Sequence, residues 1–253
     1  MNDSVDLPTG EVLSIPVSVG CLSSVTNKIT RLSLLSRCAY VCVANVHMLV
    51  TAKQSSSLLS IINNAAVVCS DGMPLVWELK RAGYKLAERV AGPDLMLSVC
   101  KKAELDGLPV YFYGGSKEVA RLLQVRLREL FPNLKIAGVE APPLLPERPS
   151  LDKQLVQRIN ESGAKIVFVG LGCPKQEYWM SVHSPHLLSV LIGVGAAFDF
   201  TVGKIARAPR WMQRCGLEWL YRLLQDPRRL WKRYLVTNTL FCFYWLQNLV
   251  KGQ

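Results

Sequence analysis

Short apolar runs recur at regular intervals along most of this chain, and helical stretches separate them. The runs, rich in β-branched and aromatic residues, cover residues 39–44, 66–70, 109–113, 135–139, 165–169 and 188–192. Amphipathic segments lie between them, near residues 48–64, 92–106, 116–131 and 150–162. Strands that are apolar on both faces and alternate with helices indicate a parallel sheet covered on both sides. The sequence therefore predicts a Rossmann-like α/β fold, with a proline-rich connection over 141–149.

The positive charge of the chain is concentrated near its C-terminus. The net charge of the 253 residues is +11, and residues 201–253 hold ten Lys and Arg against Glu218 and Asp226, so this stretch carries +8. It also holds four of the six tryptophans, at positions 211, 219, 231 and 245. We therefore predict an α/β core over 1–200 and a basic helical appendage over 201–253. Such a charge favours an anionic partner.

A basic amphipathic helix is predicted inside this appendage. Asp226 and Pro227 have the residue types of an N-cap and a first helical position, so a helix should begin there. At about 100° per residue, one side gathers Arg228, Arg229, Lys232 and Arg233, and the opposite side gathers Leu230, Trp231, Tyr234 and Leu235. This pattern favours a helix that lies on an anionic membrane surface or packs on a neighbouring element. A solvated basic face above an ordinary apolar core remains the alternative.

Several other classes of protein are disfavoured. The 16 residues of 235–250 are interrupted by polar side chains and are shorter than the roughly 20 needed to span a bilayer. The acidic start, followed by no long apolar run, argues against a cleaved secretory signal, so we expect a cytoplasmic protein at the inner membrane face. No nucleic-acid-binding motif accompanies the basic stretch, and no nucleic acid partner is expected.

The eight cysteines and the histidines show no metal-binding spacing. No C-x-x-C pair occurs, and several cysteines lie inside apolar runs, so buried thiols are favoured over disulfides or a zinc site. His183 and His186 are helical neighbours, but no further ligand stands at a suitable spacing. We predict neither a metal nor a cofactor.

Polar residues and glycines follow the predicted strands directly. In parallel α/β sheets, ligands bind beyond the carboxyl ends of the strands. The residues at these positions are Asn45, Asp71, Gly114, Gly115, Ser116, Gly170, Gly172 and Gly195. They form the predicted site.

Two of these segments have features of anion-binding loops. Gly114, Gly115 and Ser116 open a helix whose free N–H groups would suit a diphosphate, although a tight turn explains them equally well. The segment 170–177 places Lys175, Gln176 and Glu177 at the sheet edge, with Pro174 fitting a first helical position. The third glycine of a dinucleotide fingerprint is absent here and at 193–198.

Asp71 supports two interpretations. A carboxylate facing the crevice could take a proton from an attacking hydroxyl. It could also cap the helix that should begin near Pro74, and the local sequence alone favours capping.

Taken together, the motifs resemble the WecG/TagA/CpsF glycosyltransferase family. The matching blocks run from about residue 40 to 235 and include Asn45, Asp71-Gly72, 89–95, 169–177, 193–200, 207–209 and 217–222, with Pro227, Arg229, Arg233 and Tyr234. The first 35 residues and about the last fifteen match no motif. The sequence departs from the family pattern at Val43, where a Thr is frequent, and at Lys232, where Arg is expected.

The resemblance implies an inverting, metal-independent transfer from a UDP-sugar to a polyprenyl-diphosphate-linked sugar. It implies Asp71 as general base and Asn45 as a positioning residue. The appendage arginines, Arg222 and Arg229 foremost and with them Arg207 and Arg233, would close over the site and contact diphosphates. The donor sugar stays open, and a homo-oligomer is possible. Two alternatives remain, an NAD-dependent oxidoreductase on the same type of sheet and a non-catalytic membrane adaptor.

Overall fold

The computed structural model describes residues 6–35 and 38–250. Its first element is a small antiparallel hairpin of β1 (Thr9–Val12) and β2 (Ile15–Ser18), followed by helix α1 (Leu22–Leu34). The sequence analysis did not predict this hairpin. Each of its strands has only four residues, which is too short for an alternating pattern to be recognised.

A parallel sheet of six strands forms the centre of the fold. The strands are β3 (Ala39–Ala44), β4 (Val67–Ser70), β5 (Val110–Gly114), β6 (Ile136–Glu140), β7 (Ile166–Gly170) and β8 (Val190–Gly193). They lie in the spatial order β4-β3-β8-β7-β5-β6. Each strand coincides with one of the six predicted runs to within about two residues, an ordinary boundary error. The prediction of a Rossmann-like α/β fold is confirmed.

Helices cover both faces of the sheet. They are α2 (Val46–Gln54), α3 (Ser56–Asn63), α4 (Met73–Arg81), α5 (Gly92–Asp106), α6 (Lys117–Leu130), α7 (Lys153–Glu161), α8 (Lys175–His183) and α9 (Ala197–Thr201). The prediction of one helical segment over 48–64 is wrong, because the chain turns to extended backbone at Ser55. The Ser55 hydroxyl accepts the Leu58 N–H at 3.3 Å, which caps the second helix.

Two apolar cores lie on opposite faces of the sheet. Alternate residues of β3 enter different cores: Cys42 and Ala44 pack with α2, α3 and α8, while Val41 and Val43 pack with α1 and α5. This alternation explains why the strand is apolar at every position. Burial of both faces is the main source of stability for this layered arrangement.

The spatial order of the strands decides which loops meet. Strands β8 and β7 lie between β3 and β5, although β5 precedes both in the sequence. The carboxyl ends of β4, β3, β8 and β7 are therefore adjacent, and the end of β5 lies beyond them. The loops that follow β7 and β8 are therefore closer to the ends of β3 and β4 than the loop that follows β5.

Three further helices make up the C-terminal segment: α10 (Arg210–Arg214), α11 (Glu218–Gln225) and α12 (Pro227–Val250). Helix α12 begins at the predicted residue, Pro227, and packs across α2. In the described ranges, no helix is both long enough and apolar enough to cross a bilayer. The division into a core and an appendage at residue 200 stays a prediction.

Helix α12 does not bury one predicted side and expose the other. The helix buries Leu230, Thr237 and Phe241 and turns Arg233 partly inward, whereas Trp231 is 55% exposed and Leu235 62% exposed. The side of α12 that lies over the cavity at the carboxyl edge of the sheet mixes polar and apolar residues: Arg229, Arg233 and Asn238 with Leu230, Phe241 and Trp245. Part of each predicted side therefore faces the cavity, and much of the apolar surface of α12 faces outward.

The cysteines are less buried than predicted. All eight are free thiols, and Cys42, Cys69 and Cys100 lie in the cores. Cys38, Cys215 and Cys242 are exposed: Cys38 precedes β3, Cys215 follows α10, and Cys242 lies in α12 beside the opening at the sheet edge. The prediction of buried thiols therefore holds only for the strand and α5 positions.

Candidate active site

One large cavity, of about 1220 Å³, lies between the carboxyl edge of the sheet and the C-terminal helices. Nine of the predicted site residues line it: Asn45, Asp71, Gly170, Gly172, Gln176, Gly195, Arg222, Arg229 and Arg233. They come from the ends of β3, β4, β7 and β8 and from α11 and α12. The strand-end rule therefore located most of this site.

Gly114, Gly115 and Ser116 do not line the cavity and so lie outside the candidate site, and their role as a diphosphate loop stays a prediction. They follow β5, which β7 and β8 separate from β3. The backbone at Gly114 has φ +142°, and a Cβ there would stand 2.5 Å from the Gly170 carbonyl oxygen. This glycine permits close contact between two loops, while the Ser116 hydroxyl caps α6 by accepting the Val119 N–H at 3.2 Å.

Asp71 lies at the cavity wall and is held by Arg89. The Asp71 Oδ1 atom accepts a hydrogen bond from Arg89 Nη2 at 3.1 Å, and the Asp71 carbonyl accepts one from Arg89 Nε at 2.5 Å. The N-cap of α4 is Gly72, with no side-chain capping bond. The alternative that Asp71 merely caps this helix is therefore wrong.

Arg89 also contacts Glu218, the first residue of α11. Its Nη2 atom donates to Glu218 Oε2 at 2.7 Å, so one nitrogen serves two carboxylates. Neither Arg89 nor Glu218 was predicted as a site residue, although both lie inside the motif blocks. They are 129 positions apart, and no local pattern indicates that such distant residues pair.

The environment of Asp71 makes it a stronger base than an ordinary aspartate. Burial is the largest influence and raises its pKa, and the negative charge of Glu218 raises it further. The positive charges of Arg89 and Arg222 oppose this rise. A carboxylate whose pKa lies above its usual value accepts a proton more readily.

Asn45 combines a structural contact with exposure to the cavity. Its Oδ1 atom accepts the Met48 N–H at 3.1 Å and so caps α2. The amide nitrogen of Asn45 has no hydrogen-bond partner within residues 6–35 and 38–250, and the side chain lines the cavity. This nitrogen is available as a donor for a ligand. Val43, which replaces the threonine frequent in the resembling family, contributes apolar surface beside it.

Gln176 joins the loops after β7 and β8. Its Oε1 atom accepts the Gly195 N–H at 3.0 Å, and its Nε2 atom donates to Glu177 Oε1 at 2.7 Å. The amide is therefore fully oriented by the protein. Gln176 shapes the cavity wall by fixing these two loops.

Lys175, Glu177 and Arg207 do not line the cavity, contrary to the prediction. Lys175 Nζ donates to the Leu145 carbonyl at 2.6 Å in the proline-rich connection. Glu177 is completely buried in the first turn of α8, and Pro174 is the N-cap of this helix rather than its predicted first residue. Arg207 forms two hydrogen bonds with the Asp94 carboxylate, at 2.5 and 2.9 Å.

The three predicted arginines that line the cavity are held in different ways. Arg222 lies over the Phe200 ring, with 5.4 Å between its Cζ atom and the ring centroid. Arg229 pairs with Asp226 at 2.6 Å. The Arg233 Nε atom is buried and has no partner in the described chain. This cluster brings three guanidinium groups to the cavity roof, where Glu218 and Asp226 also lie, and guanidinium groups suit phosphate oxygens.

His47 is a further cavity residue that the sequence analysis missed. Burial, followed by the nearby positive charge of Arg233, lowers its pKa to about 4. The imidazole is therefore neutral near pH 7 and can exchange hydrogen bonds without adding charge. His47 lies in the first turn of α2, two positions after the N-cap residue Asn45. Both side chains line the cavity.

The comparison with protein families decides the class of this protein. A model of the glycosyl transferase WecG/TagA/CpsF family matches residues 10–253. The chain belongs to this family. It is therefore a glycosyltransferase of cell-surface polymer biosynthesis, and this membership disfavours the oxidoreductase alternative. The match also covers the hairpin, α1 and the end of α12, where no motif had been found.

The absence of a metal requirement stays a prediction for this glycosyltransferase. In the parts of the chain that the structure describes, no three His, Cys, Asp or Glu side chains are grouped as a metal site would require. His183 is used structurally: its Nε2 accepts the Asp152 N–H at 3.1 Å, and its Nδ1 bonds the Trp179 carbonyl at 2.8 Å.

The buried Glu177 predicts a pH-dependent stability. Burial raises its pKa from 4.5 to about 7. Between these values the unfolded chain releases a proton that the folded protein keeps, so stability falls as pH rises through this window and stays lower above it. Glu177→Gln removes this penalty. We expect the variant to be more stable than the parent glycosyltransferase by about 3 kcal/mol at pH 8 and equally stable at pH 4.

Urea unfolding at several pH values measures this difference. Glu161→Gln, an exposed substitution on α7, is the control and should not change the pH dependence of unfolding. Equal stabilities of the parent and Glu177→Gln proteins at pH 8 would contradict the prediction.

Proposed function

We propose that this glycosyltransferase moves a sugar from a UDP-sugar to a hydroxyl of a polyprenyl-diphosphate-linked sugar, with inversion, at the cytoplasmic face of the membrane. One observation carries the proposal. The Asp71 carboxylate and the arginines Arg222, Arg229 and Arg233 line the same cavity. A proton acceptor and a set of phosphate ligands are what this transfer requires.

The transfer occurs as a single displacement. The Asp71 carboxylate takes the proton of the acceptor hydroxyl as its oxygen bonds to the anomeric carbon of the donor. The bond between that carbon and the diphosphate oxygen breaks, and its electron pair leaves with UDP. Attack from the side opposite the leaving group inverts the anomeric configuration. The arginines stabilise the negative charge that develops on the diphosphate.

The size of the cavity supports a reaction between two large substrates. Its volume of about 1220 Å³ exceeds the roughly 300–1,000 Å³ of ordinary small-molecule sites. Gly170, Gly172 and Gly195 line one side of it and leave the loop backbone accessible. A nucleotide sugar and the polar head of a lipid-linked acceptor therefore both have room.

The outer face of α12 supports contact with an anionic membrane. Its exposed apolar side chains are Trp231, Leu235, Val236, Phe243, Leu246, Leu249 and Val250. The exposed cations Arg228 and Lys232 lie on the same part of the helix. Apolar groups beside cations favour the headgroup region of anionic bilayers. Lipid-linked acceptors would then reach the cavity from this side.

A thermal-shift series tests the choice of nucleotide. Ligand at a hundredfold excess over its Kd stabilises the folded state by about 2.7 kcal/mol. We therefore expect UDP to raise the Tm by about 5–10 °C and NADH to leave it unchanged. The Arg229→Ala variant should show a smaller UDP shift, because it lacks one phosphate ligand.

Arg126→Ala is the matched control, since Arg126 is an exposed arginine of α6 that pairs with Glu129. It should retain the full UDP shift. A larger shift with NADH than with UDP would favour the oxidoreductase. The absence of a shift with either nucleotide would favour the adaptor.

A further inference from the structure

Three charged side chains from three separate elements meet beside the cavity. Asp71 follows β4, Arg89 precedes α5, and Glu218 begins α11. Their side chains are 24%, 17% and 15% exposed, so the group is mostly shielded from water. Arg89 Nη2 lies 3.1 Å from Asp71 Oδ1 and 2.7 Å from Glu218 Oε2. One guanidinium nitrogen is therefore divided between two carboxylates.

We propose that Glu218 is a positioning residue for sugar transfer. By binding Arg89, it holds the guanidinium between two carboxylates, so that Asp71 remains an effective proton acceptor. This proposal rests on the proposed function in one respect, the assignment of Asp71 as general base. Glu218 lies in the C-terminal segment but, as a carboxylate, is not one of the proposed phosphate ligands.

The hydrogen-bond geometry supports this role. An arginine and a carboxylate free of other partners tend to form two parallel hydrogen bonds. Here the shorter contact of Nη2 goes to Glu218, and Asp71 receives only one side-chain bond. Asp71 Oδ2 has no hydrogen-bond partner among the residues described. One carboxylate oxygen thus stays available for the acceptor hydroxyl.

The charges around Asp71 lead to the same conclusion. The charged groups that act on it are Arg89, and Glu218 with Arg222 on α11. The Cys69 thiol, in β4, is itself affected: burial and then the Asp71 charge raise its pKa. Burial raises the pKa of Asp71 most, Arg89 lowers it, and Glu218 raises it. Without the charge of Glu218, the pKa-lowering effect of Arg89 and Arg222 on Asp71 would no longer be opposed by a nearby negative charge. The pKa would fall, and the carboxylate would become a weaker base.

A purely structural contact predicts a different outcome. If Glu218 only attached α11 to the core, its loss would lower stability and leave the titration of Asp71 unchanged. Glu218→Gln separates the two cases, because glutamine keeps the shape and the Oε1 acceptor but removes the charge.

Carboxyl NMR of the full chain, labelled with ¹³C at the aspartate side-chain carboxyls, measures the titration directly. The resonance missing from Asp71→Asn identifies Asp71. We expect its midpoint to fall by about one pH unit in Glu218→Gln. Glu129→Gln removes an exposed carboxylate that also pairs with an arginine, and it should leave the midpoint unchanged. An unchanged midpoint in Glu218→Gln would overturn the proposal.

Kinetics distinguish failure of this proposal from failure of the proposed function. With a UDP-sugar and a lipid-linked acceptor, Glu218→Gln should lower kcat roughly tenfold with little change in KM, and move the acidic limb of the pH profile downward. If Asp71→Asn keeps its turnover, the general-base assignment fails, whatever the NMR midpoint does. If Asp71→Asn is inactive and Glu218→Gln behaves like the parent, only the role of Glu218 is refuted.

Discussion

Asp71→Asn should abolish sugar transfer, with kcat lowered by roughly 10³–10⁴-fold. The amide has nearly the shape of the carboxylate but cannot accept the proton of the attacking hydroxyl. In the proposed site, UDP is bound by the arginines rather than by this side chain, so UDP should still raise the Tm. Radiolabelled sugar transfer measures the first effect, and thermal shift measures the second.

Asp106→Asn is the control for this experiment. Asp106 ends α5 and pairs with Lys102 at 2.8 Å, away from the cavity, so its substitution should leave turnover unchanged. Loss of both turnover and the UDP shift in Asp71→Asn would indicate a collapsed site rather than a missing base. Undiminished turnover in Asp71→Asn would refute the assignment.

Removal of α12, by ending the chain after Asp226, should have the second-largest effect. The helix supplies Arg229 and Arg233 to the cavity and carries the exposed apolar face. We expect turnover to fall at least about a hundredfold, because two phosphate ligands are lost. Sedimentation with anionic liposomes should also be lost, since each cation near such a surface contributes about 1 kcal/mol in addition to the apolar contacts.

A full-length variant distinguishes the loss of membrane binding from the loss of the cavity arginines. The double substitution Leu235→Glu with Leu246→Glu adds charge to the exposed face and leaves every cavity arginine in place. It should lose liposome binding and keep the UDP shift. A truncated chain that still sediments with anionic liposomes would show that α12 is not the membrane contact.

Local sequence was sufficient for the six strands of the parallel sheet, but not for the hairpin or for the division of 48–64 into two helices. A strand buried on both faces must be apolar at consecutive positions, so the six runs identified the six strands. Ser116 and Pro227 marked helix starts correctly, because capping and the restricted φ of proline act within a few residues. Asp71 was selected as a candidate site residue because ligands bind at the carboxyl ends of parallel strands, although the local sequence favoured a helix-capping role.

Tertiary structure decided which of these candidates share a site. The insertion of β8 and β7 between β3 and β5 separates Gly114 from Asp71, and no local pattern encodes that order. The contact of Arg89 with Glu218 joins positions 129 residues apart. The orientation of α12 follows from its packing across α2 and over the cavity rather than from its own periodicity. Hydrophobic period and capping are short-range properties, whereas strand order, ion pairing and helix orientation depend on which distant surfaces meet when the chain folds.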